Sequence, residues 1–199
     1  MSIVLVDGGG TNIMSVRAAL QRLGADARLT SDAGAIRAAT RVILPGVGAA
    51  GPGMAMLRAA GLVDVLRTLQ APLLGICLGM QLLFEASDEG GVECLGLLPG
   101  RVAKMRGAPG LWVPHMGWNA LRFAPGDPLL DGIEPGAHAY FVHGYAAPVT
   151  AATVATATHG DEFAAVVRDG RRMGAQFHPE RSAATGARLL RNFIEKDWP

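Results

Sequence analysis

The sequence predicts an α/β fold: an open, mostly parallel sheet flanked by helices, with an added antiparallel portion. Three observations lead there. Short apolar runs alternate with helical patterns through the first half of the chain, the signature of a parallel sheet covered by helices. The second half is denser in short strands. Asp169-Gly170 between two apolar runs is a hairpin signal. In order, 3–6 (Ile-Val-Leu-Val) is a first buried strand, and 13–23 is a helix with Ile13, Val16, Leu20 and Leu23 on one face. A strand near Arg28, a strand over 41–44, helical stretches between Met54 and Leu69, and a strand over 73–76 follow. Strands are then expected at 101–105, 118–123, 139–142, 153–158 and 163–168. The hairpin leads into 172–177, and a helix over 183–194 closes the domain.

A length of 199 residues suits one domain, 1–199, with no repeat and no low-complexity linker. Half the residues are hydrophobic, yet no apolar run approaches the ~20 residues of a membrane span. The N-terminal run lacks a basic region and a cleavage site, so it reads as a strand rather than a signal peptide. Two cysteines suggest a reducing, cytoplasmic compartment, with Cys94 a small packing residue. A formal net charge of +1 argues against nucleic acid as a partner.

Chemistry concentrates at Cys77. The run Ala71-Pro72-Leu73-Leu74-Gly75-Ile76-Cys77-Leu78-Gly79-Met80-Gln81 is a buried strand turning sharply into a helix. Glycines two before and two after the cysteine repeat the logic of a nucleophile elbow. The sulfur then sits at a helix N-terminus, where unpaired N–H groups and the dipole favour its anion. That effect is about 0.3–1 kcal/mol, so a base is needed. Gly174-Ala175-Gln176-Phe177-His178-Pro179-Glu180 offers one. Pro179 holds His178 extended, and residues two apart on an extended segment share a side. His178 and Glu180 are therefore expected to project together as base and orienting acid, completing a catalytic trio with Cys77. Taken singly, a cysteine or a histidine is more often core packing; the two contexts together favour catalysis.

Leu44-Pro45-Gly46-Val47-Gly48 follows a short apolar strand. With the two motifs above, and in their order and spacing, it resembles the class I, triad-type glutamine amidotransferases. The resemblance implies that family's sheet architecture and an oxyanion hole built from Leu78 and the Val47–Gly48 turn. A tetrahedral oxyanion needs two such backbone donors, and losing one typically costs about 2.7–4 kcal/mol of barrier. Pro114-His115-Met116-Gly117-Trp118-Asn119 and Tyr140-Phe141-Val142-His143-Gly144-Tyr145 narrow the resemblance. They are similar to the glutaminase subunits of imidazole glycerol phosphate synthases, across nearly the whole chain.

That resemblance implies hydrolysis of glutamine to glutamate and ammonia through a cysteinyl thioester, with Cys77 attacking, His178 shuttling protons and Glu180 orienting it. It also implies a heterodimer with a synthase (cyclase) subunit that uses the ammonia to make imidazole glycerol phosphate in histidine biosynthesis. Gly46, Gly48, Gln81, His143, Gly144 and Tyr145 would hold glutamine. Asn12, Met116, Trp118 and Arg181 would face the partner and its ammonia passage. Gly144 stands where a small hydroxyl residue is common. Two alternatives stay open: a glutaminase subunit feeding pyridoxal phosphate or anthranilate synthesis, or a stand-alone γ-glutamyl hydrolase. No cofactor and no metal are expected: the histidines are scattered, and no Cys-x-x-Cys or His-x-x-x-His pair occurs. Asp7-Gly8-Gly9-Gly10-Thr11-Asn12 looks like a phosphate-gripping loop but lacks a second one, and 46–51 lacks the Lys-Ser/Thr of a Walker loop.

Overall fold

Strand β1 (Ile3–Val6) sets the pattern for the fold, being buried at all four positions. Ile3 and Leu5 pack into one apolar layer, whereas Val4 and Val6 pack into another. The period of two thus sends alternate side chains to opposite faces of a sheet covered on both. β3 (Arg41–Gly46) and β4 (Leu73–Cys77) do the same: Ile43, Leu74 and Ile76 join the first layer, and Val42, Leu44 and Leu73 the second. Each fully buried Leu, Ile or Phe side chain adds about 1.5–3 kcal/mol. The computed structural model describes residues 1–7 and 12–198; the glycine loop at 8–11 and Pro199 lie outside the described residues.

Between these strands run α1 (Ile13–Arg22), β2 (Ala27–Thr30), α2 (Ala33–Ala38), α3 (Ala50–Ala59) and α4 (Val63–Arg67). The stretch expected as helical between Met54 and Leu69 is two helices, parted at Gly61, whose φ of 67° suits glycine. α2 is an addition to the sequence reading. Its signal is the N-cap Asp32, whose Oδ1 accepts from the Ala35 N–H at 2.6 Å.

After β4 come α5 (Leu78–Gln81), β5 (Phe84–Ser87), β6 (Val92–Glu93), β7 (Leu98–Lys104), β8 (His115–Ala120), β9 (His138–His143), β10 (Tyr145–Ala146), β11 (Thr153–His159), β12 (Asp161–Asp169), β13 (Arg172–Ala175) and α6 (Ala183–Glu195). The main sheet has the order β11-β12-β13-β4-β3-β1-β2. Its five strands from β13 to β2 are parallel, and β12 and β11 add the antiparallel portion. A four-stranded sheet (β10-β7-β5-β6) and the β8–β9 ribbon flank it. The helix after Cys77 is a single turn. The carbonyls of Leu82, Leu83 and Phe84 are taken by N–H groups of 95–98 instead, which converts the chain to strand. The helix-dipole contribution expected at Cys77 shrinks accordingly.

One feature of the topology places the chemistry. β3, β4 and β13 are adjacent and parallel, with Gly46 opposite Cys77 and Ala175 opposite Ile76. The Pro45 loop, the nucleophile turn and the Gln176-Phe177-His178 segment therefore leave the sheet side by side at its carboxyl edge, where ligands bind in folds of this kind.

Candidate active site

Cys77 has φ 51° and ψ −111°, a backbone conformation that costs a non-glycine residue about 1–3 kcal/mol. The glycines around it explain how so tight a turn closes. A Cβ on Gly75 would lie 2.6 Å from the Gly79 carbonyl and the Met80 nitrogen, and one on Gly79 would lie 1.8 Å from the Leu44 carbonyl oxygen. The elbow folds onto itself and onto β3 where only hydrogens fit. The sulfur emerges buried but facing a cavity, 3.7 Å from the Gln176 side-chain nitrogen and 3.9 Å from the Val142 carbonyl oxygen.

His178 and Glu180 project together. Nδ1 of His178 is 2.9 Å from Glu180 Oε1, and both side chains are buried. A carboxylate only accepts, so Nδ1 carries the hydrogen and Nε2 is left for the edge that engages Cys77. Asn12 Nδ2 donates to the same Oε1 at 2.6 Å. Its 3.2 Å approach to Nδ1 sets N–H against N–H and adds nothing. Asn12 was expected on the partner-facing side. Its amide instead turns inward, where a buried carboxylate needs every donor it can find; Glu180 Oε2 has no partner among the described residues.

Electrostatics follow from that geometry. Burial pulls the His178 pKa down, but hydrogen bonds and charge from Cys77 and Glu180 outweigh it and raise the value to about 10. For Glu180, burial pushes up, and hydrogen bonds from His178 and Asn12 win, leaving its pKa lowered. The stabilisation from a raised imidazole is fully present below its ordinary 6.5 and drains away as pH climbs through about 10. That from the lowered carboxylate is present above the ordinary range and is lost as pH falls through the depressed value. Ring-proton NMR of His178 should therefore show a titration well above pH 7, shifted down in Glu180→Gln. An unshifted midpoint in the variant would show that Glu180 does not hold the imidazolium.

A cavity of about 170 Å³ opens beside the sulfur. It is lined by Cys77 and His178, by Val47, Gly48 and Leu78 of the expected oxyanion hole, and by Gln81, His143, Gly144 and Tyr145. Gly48 has φ 93° with open space around it, so the loop turns there with its backbone accessible. Gly46, expected to touch glutamine, is not on the wall. A Cβ there would come within 3.0 Å of Gly79 N and Leu78 Cβ, so its smallness serves the packing of the elbow. At Gly144 a Cβ would meet only ordinary contacts, so the position has room for a side chain.

Two residues escaped the sequence reading. Glu89 brings the lone carboxylate among the cavity's lining residues, and its Oε2 accepts from the Ala50 N–H at 2.9 Å. Nothing local marks it, because an acid in a turn after a short strand is ordinary. Gln176 accepts at Oε1 from Gln81 Nε2 at 2.9 Å and sits beside Cys77. Its signal was burial next to His178 within an apolar segment.

Met116 and Trp118 are 65% and 53% exposed on β8, with Trp118 edge-on to Tyr140 at 5.9 Å. The Arg181 guanidinium lies 4.9 Å over the Tyr140 ring. Two large apolar side chains thus stand in water beside a cation at the same edge as the cavity. Cys94 is fully buried and unpaired, and burial raises its pKa. No helix among the described residues is long and apolar enough to cross a membrane.

An elbow cysteine, a carboxylate-held histidine and a glycine loop at one sheet edge agree with the match of residues 4–196 to the family described as Glutamine amidotransferase class-I. The chain belongs to that family. A solved structure described as a glutamine amidotransferase superposes with a TM-score of 0.73 at 22% identity, covering 96% of this chain and 97% of that one, which shows the shared fold. Among curated relatives, the imidazole glycerol phosphate synthase subunit HisH of Xanthomonas axonopodis pv. citri (strain 306) is 64% identical, covering 99% of this chain and 98% of its own. That of Xanthomonas euvesicatoria pv. vesicatoria (strain 85-10) is 63% identical with the same coverage. Within the class, the chain belongs to the HisH subunits of imidazole glycerol phosphate synthase.

Proposed function

We propose that Cys77, His178 and Glu180 perform the glutamine hydrolysis by which this glutaminase subunit serves imidazole glycerol phosphate synthase in histidine biosynthesis, within a single domain spanning 1–199. The observation that carries the residue assignment is the shared cavity: the sulfur and the Glu180-held imidazole face one space large enough for an amide side chain. Cys77 Sγ attacks the γ-carboxamide carbon, and the oxyanion is received by backbone N–H groups of Leu78 and of the Val47–Gly48 turn. His178 gives a proton to the departing ammonia, then takes one from the water that cleaves the thioester. Glu180 holds the ring and its charge throughout.

The rest of the wall reads glutamine's other end. Glu89 is the carboxylate available to an α-ammonium group. Gln81 spends both amide hydrogens, on the Tyr145 carbonyl and on Gln176 Oε1, each at 2.9 Å, so what it offers a ligand is an acceptor oxygen. Gly48 and the main chain of 143–145 complete the grip.

Ammonia freed into water is protonated and lost as a nucleophile, so the reaction calls for a dry path to a second active site. Met116, Trp118 and Arg181 form the face against which the synthase subunit docks as a heterodimer partner. Buried free thiols and the absence of a spanning helix among the described residues support a cytoplasmic enzyme. The test is glutamate release with the chain alone, with the synthase subunit, and with synthase plus acceptor. Weak activity alone and a rise of at least about tenfold in the loaded complex, equivalent to ~1.4 kcal/mol of barrier, is expected. Full activity of the isolated chain would refute the coupling.

A further inference from the structure

Three histidines outside the catalytic trio cluster together, with His143 on the cavity wall. His115 and His143 face each other as a cross-strand pair of the β8–β9 ribbon, both buried. His115 stacks on His159 at 4.2 Å and on Phe141 at 5.0 Å. Buried imidazoles are costly unless every nitrogen is satisfied, and here the hydrogen-bond roles can be assigned from the ends inward. His143 Nδ1 lies 2.8 Å from the Tyr145 carbonyl oxygen. A carbonyl only accepts, so Nδ1 holds the hydrogen and Nε2 is a bare acceptor. His115 Nδ1, 3.1 Å from that Nε2, must donate. His115 Nε2 is then bare in turn and accepts from Asn119 Nδ2 at 3.3 Å, while the same amide nitrogen donates to the Thr158 carbonyl at 2.9 Å.

The chain of donors runs one way, and it is complete only when both rings are neutral. Burial lowers the pKa of His115 to about 4 and that of His143 to about 3, so the neutral forms hold at physiological pH. The far end is the wall of the cavity. The Tyr145 carbonyl that closes the chain also accepts from Gln81 Nε2, which reaches Gln176, whose amide borders Cys77.

We propose that His115 and Asn119 are positioning residues for glutamine: with His143 they form a one-directional relay that fixes the Tyr145 carbonyl, and through it Gln81, in the geometry that grips the substrate. Neither residue lines the cavity, so their effect passes through others. This rests on the glutaminase reading above.

The experiment uses the full chain with its synthase subunit. His115→Phe keeps the aromatic volume and the ring stack but removes the donor to His143. His115→Asn restores a donor near the position of Nδ1. Glutamine affinity, measured by calorimetry in a Cys77→Ala background, should weaken about five- to tenfold in His115→Phe, the scale of one buried neutral hydrogen bond. It should return to within about twofold in His115→Asn. In the wild-type background, His115→Phe should raise KM while kcat stays within about twofold, as for binding energy shared by ground and transition states. Nitrogen-15 spectra should show Nδ1–H tautomers for His115 and His143 at neutral pH. Should His115→Phe not fold, the half-buried Asn119→Ala takes its place, with an affinity loss of about two- to threefold. Unchanged affinity, equal losses in the Phe and Asn variants, or Nε2–H tautomers would overturn the relay. Glutamine that binds but is not hydrolysed by the wild-type complex would overturn the glutaminase reading and leave the relay's affinity test intact.

Discussion

Cys77→Ala is expected to abolish glutamate release in the complex with the synthase subunit, by about 10⁴-fold or more, the scale on which losing a nucleophile acts in a concerted triad. The fold should persist, because the sulfur borders the cavity on one side and alanine keeps the Cβ that packs with the first apolar layer. A glutamine-like electrophile should leave its adduct mass on a peptide containing residue 77 in the wild type and on none in the variant. Cys94 makes a natural internal control, being buried with its pKa raised. Comparing two inactive variants tests the strain argument as well. At φ 51° and ψ −111°, alanine keeps the unfavourable backbone whereas glycine relaxes it. Cys77→Gly should therefore unfold at higher denaturant than Cys77→Ala, by about 1 kcal/mol, despite having less side chain to bury. Residual turnover within tenfold of wild type in Cys77→Ala would move the chemistry to another residue.

Much of this architecture is legible in the sequence because local signals agree with the global arrangement. Ile3 to Val6, 41–44 and 73–76 are short, apolar and bounded by breaks, and strands buried on both faces look like that in sequence. The amphipathic spacing of Ile13, Val16 and Leu20 likewise matches the buried face of α1. Where the reading fell short, tertiary contacts decided. The Leu82-Leu83-Phe84 run continues a helical pattern, yet its carbonyls pair with 95–98 and the chain becomes β5. Competition between an intrahelical partner and a distant one leaves no trace in a short window.

The site shows the same division. Cys77, Gly79, His178 and Glu180 announce themselves through spacing, since a tight elbow and an extended His-Pro-Glu each constrain neighbouring residues. Glu89, Gln176 and the inward turn of Asn12 depend on chain segments far apart in sequence. Asn12 and Glu180, for instance, are 168 positions apart. The histidine relay is hidden for a further reason. His115 and His143 are each unremarkable alone, and only the antiparallel register that sets them opposite makes a donor of one and an acceptor of the other.

Gly79→Ala should severely damage the fold. The new carbon would lie 1.8 Å from the Leu44 carbonyl oxygen and 2.8 Å from its carbonyl carbon, both backbone atoms of the central β3. A flexible side chain could rotate away; a strand hydrogen-bonded on both sides to β1 and β4 cannot. Inserted methyl groups in packed interiors ordinarily cost about 1–3 kcal/mol, and a backbone-to-backbone clash belongs at or beyond the top of that range. For a chain of this size that is roughly 6–12 °C of melting temperature. Gly24→Ala is the control, with φ 78° and nothing within 4 Å of the new carbon. It carries only the left-handed backbone penalty of about 1–2 kcal/mol. Gly79 lies in the turn of α5 with no left-handed backbone, so without the clash Gly79→Ala would melt above Gly24→Ala. A clash instead predicts a clear gap, with Gly79→Ala the lower. Because the same methyl would prise the elbow from β3, any folded fraction should also label slowly at Cys77 with the glutamine-like electrophile. Rapid labelling in a stable Gly79→Ala protein would mean that the nucleophile's position does not depend on the close contact between the elbow and Leu44.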